Sequence, residues 1–188
     1  MSEPTAPIEF PVEGITDGEI RLRLHSEADL EELIEAVQDP EIPRWTRIPS
    51  PYGDSEARQW LEQEGHLRKG AEGLGTLVVD AETDRLLGGI GLVHIDWEDS
   101  RCELGYWLAA DGRRRGVMTR AVGLLSRWIF ENLPLERISI LAAVENARSR
   151  AVAERAGFTF EGVLRSYIAF KDGRHDVAMY SLLRDESA

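Results

Sequence analysis

The sequence predicts a single-domain α/β protein built around one mixed, largely antiparallel sheet. Three observations lead to this class: a strand followed by a helix near the start, hairpin-like strand pairs in the middle and at the end, and two direct strand-to-helix crossovers. The 188 residues suffice for one hydrophobic core, and 43% hydrophobic with 30% charged residues is ordinary for a globular enzyme.

The first half of the chain predicts one strand and two helices. Residues 20–24 alternate strictly between apolar and polar, and Ser26 then caps a helix with apolar residues at helical spacing. Residues 39–53 hold four prolines and two aromatics, which predicts a loop able to shape a pocket wall. A second helix is expected from residue 54 or 55 to about 70.

The middle of the chain predicts sheet followed by a long helix. Residues 76–79 and 86–95 form an antiparallel hairpin in this interpretation, and residues 102–109 form a further strand. A helix begins near Gly116, with apolar residues along one face. The continuous apolar run 138–144 is typical of a central strand.

The last part of the chain predicts a second strand-to-helix crossover and a closing hairpin. Asn146 is a good cap for the next helix, and Gly157 ends it. The closing strands are expected at residues 158–160, 163–170 and 177–183.

Residues 105–122 are the most informative stretch, because a strand there runs straight into a glycine-marked helix start. The first helical turn has backbone N–H groups without intrahelical partners, and the helix macrodipole adds positive potential. Gly116 allows close approach of an oxygen, and three consecutive arginines supply countercharge. The stretch predicts a site for a phosphate-bearing, nucleotide-like ligand.

Charge and composition exclude several classes. A net charge of −12 argues against nucleic acid as a partner; it fits a cationic substrate, or else provides only solubility. No apolar run is long enough to cross a bilayer, and residues 1–16, without a secretory signal pattern, are expected to form a flexible tail. The single cysteine, Cys102, is compatible with a reducing compartment and hence the cytoplasm.

Metal and cysteine chemistry are not predicted. The four histidines are scattered without metal-ligand spacing, so no metal site is expected. Cys102 lies beside Glu103 but has no accompanying histidine at a recognisable spacing, which favours core packing over a nucleophilic role.

Five segments together resemble a known family. They are 103–108 (ELGYWL), the pair Arg113 and Gly116, 146–149 (NARS) leading to 154–158 (ERAGF), 161–165 (EGVLR), and 176–183 (DVAMYSLL). In this order and spacing they resemble the GCN5-related N-acetyltransferase (GNAT) superfamily, and within it the RimJ/RimL-like branch of ribosomal-protein-alanine acetyltransferases. The likeness covers nearly the whole chain, and residues 17–186 are expected to form the GNAT domain.

The resemblance implies a fold, a donor and a set of binding residues. It implies helices on both faces of the sheet, central strands that splay, and acetyl-CoA as co-substrate without a metal. By this resemblance the pantetheine arm pairs with a strand edge, the pyrophosphate lies at a helix start, and the binding residues are Trp107, Leu108, Ala109, Arg113, Arg114, Arg115, Gly116, Val117, Met118, Thr119, Asn146 and Ser149.

The phosphate motif departs from the family pattern, usually written Arg/Gln-x-x-Gly-x-Gly/Ala. Met118 occupies the final small-residue position, and Arg114 stands where a glycine is common. Two consequences remain open from sequence: either the Met118 side chain turns into the core, or the ligand sits slightly differently.

The reaction implied is attack of a neutral amine on the thioester carbonyl. A lysine-like amine costs about 4 to 5 kcal/mol to deprotonate at pH 7, against about 1 kcal/mol for an α-amine, which favours an N-terminal α-amine. Glu103 is the candidate base, directly or through water, with pairing to a neighbouring arginine as the structural alternative. Ser149 is the candidate acid or thiol-orienting group, or an ordinary first-turn hydroxyl.

The acceptor stays open: a ribosomal-protein N-terminus, a polyamine, an amino acid or an antibiotic. Loops 39–53 and 167–175 are expected to decide it, with Trp45, Tyr52 and Tyr167 as candidate pocket residues. The alternatives are a succinyl or other short acyl donor, a non-catalytic acyl-CoA-binding regulatory domain, and a protein-interaction module. A homodimer is possible by resemblance.

Overall fold

The computed structural model describes residues 6–186 and contains one eight-stranded sheet. The strand order is β1-β2-β3-β4-β5-β6-β8-β7, and every neighbouring pair is antiparallel except β5 and β6. The strands are β1 (Ile15–Thr16), β2 (Ile20–Arg23), β3 (Leu74–Asp80), β4 (Leu86–Asp96), β5 (Arg101–Leu108), β6 (Arg137–Ala143), β7 (Thr159–Phe170) and β8 (Gly173–Leu183).

Within residues 6–186, five α-helices cover the two faces of this sheet. They are α1 (Leu30–Ala36), α2 (Glu41–Trp45), α3 (Asp54–Lys69), α4 (Val117–Asn132) and α5 (Ala147–Arg155). In the described part of the chain, no helix is long and apolar enough to span a membrane.

The strand alternation divides the core into two clusters. Leu77 and Val79 of β3 point to the face covered by α1, α2 and α3, where they pack with buried residues of those helices. Val78, between them, points to the opposite face and belongs to the larger cluster with α4 and α5. The predicted α/β class, the largely antiparallel sheet and the helices on both faces are confirmed.

The N-terminal segment differs from the predicted flexible tail. Residues 1–5 lie outside the described range, but Ile8 and Phe10 are 3% and 5% exposed and belong to the larger core cluster. The Phe10 ring packs edge-on against Trp128 of α4, with 4.9 Å between ring centroids. Strand β1 then pairs with β2 before residue 17. The burial of these two side chains, together with the hydrogen bond that the Ile8 N–H donates to the Arg68 carbonyl at 3.0 Å, holds this proline-containing segment against the core.

Candidate functional site

The parallel strands β5 and β6 separate halfway along their length. They are paired from Arg101 opposite Arg137 only as far as Leu104 opposite Ile140. Beyond this point β5 stays beside β4, and β6 stays beside β8. Residues 105–108 and 141–143 therefore face each other without pairing, and we call this opening the β5–β6 wedge. The splayed central strands implied by the resemblance are present here.

The open end of the wedge leads to the start of α4. After β5, a short 3₁₀ turn (Ala110–Gly112) and three arginines connect to Gly116, the N-cap residue of α4, whose φ is +74°. No side chain among the described residues caps this helix, and its first turn has no acidic residue. The positive potential of the free N–H groups is thus available to an anion. A Cβ added at Gly116 would meet no described atom within 4 Å.

The three arginines before Gly116 differ in what they contact. Arg113 forms a 2.7 Å ion pair with Asp39 and donates a 3.1 Å hydrogen bond to the Leu108 carbonyl. Arg115 lies 3.8 Å from Asp80 and is 56% exposed, and Arg114 is exposed with φ +61°. Arg113 therefore ties the α1–α2 connection to the end of β5, while Arg114 and Arg115 remain accessible as countercharge.

The side chains after Gly116 point inward. Val117 and Met118 are 4% and 2% exposed, and both belong to the core cluster under α4. Of the two consequences that the sequence left open at Met118, the structure shows the first: its side chain turns into the core. Thr119 is half-buried. The first turn of α4 therefore presents backbone, not a methionine, at its start.

The end of β5 is partly engaged by the protein itself. The Ala109 N–H donates a 2.9 Å hydrogen bond to the Leu87 carbonyl, and the Leu108 carbonyl accepts from Arg113. Trp107 packs against the cluster under α1 to α3, and Leu108 packs on the opposite face. The Leu108 carbonyl and the Ala109 N–H are thus already used within the protein. The β5 peptide groups that precede the Leu108 carbonyl are not paired with β6, and they are the ones that face the wedge.

Glu103 lies on β5 at the closed end of the wedge, paired opposite Ser139. Its side chain is 26% exposed and one carboxylate oxygen lies 3.6 Å from Nδ1 of His94 on β4. Burial raises the pKa of Glu103 above the ordinary carboxyl value, and the charges of His94 and Arg47 act in the opposite direction. A half-buried carboxyl with a raised pKa is suited to accepting a proton near neutral pH.

Asn146 and Ser149 lie at the start of α5, which follows β6. The Asn146 side chain caps the helix by accepting a 3.1 Å hydrogen bond from the Ser149 N–H. The Ser149 hydroxyl lies 2.9 Å from the hydroxyl of Tyr106, which stands on the open half of β5. A pair of hydroxyl groups therefore joins the open half of β5 to the start of α5, the helix that follows β6.

The two loops expected to decide the acceptor come together in space. Trp45 of α2 packs edge-on against Phe170 and His175, with ring centroids 6.4 Å and 6.2 Å apart. A cavity of about 330 Å³ is lined by both segments, with Arg44 and Tyr52 on one side and Lys171 on the other. His175 is 14% exposed, and its hydrogen bond with Asp172, supported by Glu145, raises its pKa. Tyr167 is 55% exposed.

Cys102 is buried, and burial raises the pKa of its thiol to about 12, so a thiolate is strongly disfavoured. This agrees with the packing role expected from the sequence. Within residues 6–186, no cluster of three or more His, Cys, Asp or Glu side chains could hold a metal ion.

Three contacts near the wedge were not predicted from the sequence. They are the Tyr106–Ser149 hydroxyl pair, the Arg113–Asp39 ion pair and a 3.5 Å ion pair between Glu41 and Arg148. Strand alternation puts Tyr106 on the Leu104 face, but nothing in the chain indicates a partner on α5. The two ion pairs join residues far apart in sequence, and no local pattern reports them.

Comparison with known proteins identifies the family. The model of the acetyltransferase (GNAT) domain matches residues 19–159, three quarters of the chain. The chain is 42% identical over 101 residues to the "Putative ribosomal N-acetyltransferase YdaF" of Bacillus subtilis (strain 168), covering 54% of this chain and 55% of that protein. It is 32% identical over 170 residues to the "Uncharacterized N-acetyltransferase p20" of Bacillus licheniformis, covering 90% and 95%.

A solved structure gives the same result. The crystal structure of the microcin C7 self-immunity acetyltransferase MccE, in complex with acetyl-CoA and AMP, superposes with a TM-score of 0.84 at 25% identity. The match covers 93% of this chain and 98% of that one. With the family model and the p20 relative, it establishes that the chain belongs to the GNAT acetyltransferases, enzymes that take the acetyl group from acetyl-CoA and transfer it to an amine.

Proposed function

We propose that this enzyme acetylates the α-amine of a protein N-terminus, with the β5–β6 wedge holding acetyl-CoA and Glu103 serving as the base. The observation that carries the proposal is the continuity of the wedge. Its closed end lies at Glu103, and its open end leads to the uncapped start of α4. A donor with a thioester at one end and phosphates at the other matches this layout.

The residues present fit the two ends of acetyl-CoA. The N–H groups of Val117, Met118 and Thr119 and the positive charges of Arg114 and Arg115 suit the pyrophosphate. The unpaired edge of β5 before the Leu108 carbonyl suits an amide-bearing arm that adds to the sheet like a strand. Arg113 has a supporting role in this proposal, since Asp39 and the Leu108 carbonyl already occupy its guanidinium.

The Glu103 carboxylate takes the proton from the attacking amine, directly or through one water. An α-amine has a pKa of about 7.7 to 8.0, so only about 1 kcal/mol is needed to present it neutral at pH 7. The raised pKa of Glu103 brings its basicity closer to that of the amine than an ordinary carboxylate would have. A lysine side chain would need about 4 to 5 kcal/mol, which this single carboxylate supplies less readily.

Ser149 orients the sulfur that leaves. A serine hydroxyl is a much weaker acid than a thiol, so Ser149 serves better as a hydrogen-bond donor to the departing sulfur than as the source of its proton. Asn146 supports this position by holding the Ser149 N–H at the start of α5.

The acceptor enters, in this proposal, between α2 and the β7–β8 turn, where the 330 Å³ cavity lies. A protein N-terminus is extended and narrow enough for such an opening. The relative named as a ribosomal N-acetyltransferase supports a ribosomal protein as the source of that terminus. We further propose a homodimer in the cytoplasm, which light scattering and fractionation test directly.

Two measurements test the proposed function. Thermal unfolding with acetyl-CoA, succinyl-CoA, CoA, ATP and NAD compares the donors, and a ligand at 100 times its Kd stabilises by about 2.7 kcal/mol. For a chain of this length that is about 5 to 11 °C, expected for the CoA species only. A shift with ATP or NAD but none with CoA would overturn the donor site.

The acceptor class is tested with two matched peptides and a CoA-release assay. One peptide has a free α-amine and no lysine; the other has a blocked N-terminus and one lysine. Acetylation of the first at a clearly higher kcat/KM supports the proposal. Preference for the lysine peptide, or CoA binding without turnover of either peptide, would overturn the N-terminal acceptor.

A further inference from the structure

The mechanism above leaves unused the polar contact between Tyr106, on the open half of β5, and Ser149, at the start of α5. The Tyr106 hydroxyl lies 2.9 Å from Ser149 Oγ and 3.2 Å from the Ser149 carbonyl oxygen. Resting on the proposed function, we propose that Tyr106 is a positioning residue that directs the Ser149 hydroxyl proton toward the sulfur of the acyl donor.

Two directions of donation are available to this pair, and they differ in what they leave the serine proton free to do. The phenol has one proton and two acceptors within reach, Oγ and the carbonyl oxygen of Ser149. When the phenol donates to Oγ, the serine proton is free to point elsewhere. When the phenol donates to the carbonyl, Oγ donates back to the phenol and its proton is used up. The 2.9 Å distance to Oγ fits donation in either direction, and the proposal takes the arrangement in which the phenol donates to Oγ and the serine proton points to the sulfur.

The backbone of Ser149 is held in place, so only the direction of its hydroxyl proton can change. The Ser149 N–H is held by Asn146 Oδ1 at 3.1 Å, so the backbone cannot rotate without breaking the cap of α5. Burial raises the pKa of Tyr106 to about 12, even though the contact with Ser149 acts to lower it. The phenol therefore keeps its proton throughout the working pH range and remains a donor.

The transfer step balances as follows. The amine lone pair forms the new N–C bond, the C–S bond breaks, and its electron pair leaves on the sulfur. The amine proton passes to Glu103, and the thiolate takes a proton from solvent. Ser149 donates a hydrogen bond to the sulfur as negative charge develops there, and Tyr106 keeps that hydrogen bond aimed. Such a contact strengthens in the transition state, so its loss lowers kcat and leaves KM unchanged.

A second buried phenol provides a matched control. Tyr180 is fully buried, donates to Glu154 at 2.9 Å and accepts from Arg150 at 3.2 Å, both on α5. Tyr180→Phe removes a comparable hydroxyl that bonds the same helix, but none of its bonds involves Ser149. A purely structural effect of losing a phenol–α5 bond would appear in both variants.

The experiment measures kcat and KM for acetyl-CoA, together with CoA-dependent thermal shifts, in Y106F, S149A, the double variant and Y180F. We expect Y106F to lower kcat about tenfold with KM and the CoA shift within twofold of wild type. We expect the double variant to match S149A, because Tyr106 acts through Ser149. Y180F is expected to keep wild-type kcat.

Several results would overturn the role of Tyr106. They are a wild-type kcat in Y106F, equal losses in Y106F and Y180F, or losses in Y106F and S149A that multiply in the double variant. S149A tests the idea even where Y106F folds poorly, because a wild-type kcat in S149A removes the group through which Tyr106 acts. A wild type that shows no CoA-dependent shift would instead overturn the proposed donor site.

Discussion

Gly116 provides the sharpest test of where the phosphates bind. Its φ of +74° lies in the left-handed region, and a left-handed backbone costs a residue with a Cβ about 1 to 2 kcal/mol. No described atom lies within 4 Å of an added Cβ, so Gly116→Ala adds backbone strain without a clash. For a chain of this length the expected fall in Tm is about 2 to 8 °C.

The same strain predicts the effect on binding. If the alanine variant relaxes the backbone when free, the first N–H groups of α4 turn away, and binding CoA must restore the strained conformation. A penalty of about 1 to 2 kcal/mol weakens binding about 5- to 30-fold. Calorimetric titration with CoA measures this factor directly.

Gly157 is the matched control for this variant. It follows α5 with φ +86°, and a Cβ there also meets nothing within 4 Å. Gly157→Ala is expected to lower Tm by a similar amount while its CoA affinity stays within twofold of wild type. Equal affinities in G116A and G157A would refute the placement of the phosphates at the start of α4.

Four further substitutions follow from the same geometry. Arg113→Gln loses the Asp39 ion pair and the hydrogen bond to the Leu108 carbonyl, so its Tm is expected to fall by about 2 to 8 °C. Arg114→Gln is expected to keep the wild-type Tm and to weaken CoA binding, most strongly at low salt. Equal Tm values in the two variants would contradict the difference drawn between these arginines. Met118→Leu is a buried, nearly isosteric change expected to cost about 1.5 kcal/mol or less and to keep the CoA thermal shift, and loss of that shift would put the side chain in the phosphate site. Glu103→Gln is expected to lower kcat and remove the acidic limb of the pH–rate profile, and an unchanged profile from pH 6 to 9 would remove Glu103 from the base role. Because burial raises the pKa of Glu103, folding favours its protonated form. The resulting stabilisation of the folded state is present below the pKa of Glu103 in the unfolded chain and is lost as pH rises through its pKa in the folded protein. At pH 8 the Gln variant is therefore expected to have a Tm no lower than that of the wild type.

The sequence predicted the elements whose signals are local. The strict alternation of residues 20–24 predicted a strand whose bounds differ from those of β2 by one residue. Gly70 and Gly157, predicted as helix stop signals, follow the ends of α3 and α5. The start of α4 at Val117 follows directly from Gly116. The splayed strands were implied only by the family resemblance, since parallel pairing that stops at Leu104 has no local signature.

The misses come from competing physical effects. Residues 39–53 were predicted as a loop because of their prolines, yet α2 (Glu41–Trp45) forms there. Pro43 is tolerated because N–H groups in the first turn of a helix have no intrahelical partner to lose. The segment before residue 17 was predicted to be flexible from its composition, but Ile8 and Phe10 bury their side chains against α4 and its neighbours.

Gly116 and Met118, two positions of the predicted phosphate motif, are constrained in different ways: the first by its backbone conformation and the second by packing in the core. In the proposed site the phosphates would meet backbone N–H groups at the start of α4, so the side chain at 118 would matter through the core it fills. The core between α4 and the sheet has room for the Met118 side chain, so the fold does not require a small residue at this position. Position 116 has no such freedom, because its φ fixes the direction of the first N–H groups. A substitution in this motif should therefore be judged by backbone conformation first and by side-chain size second.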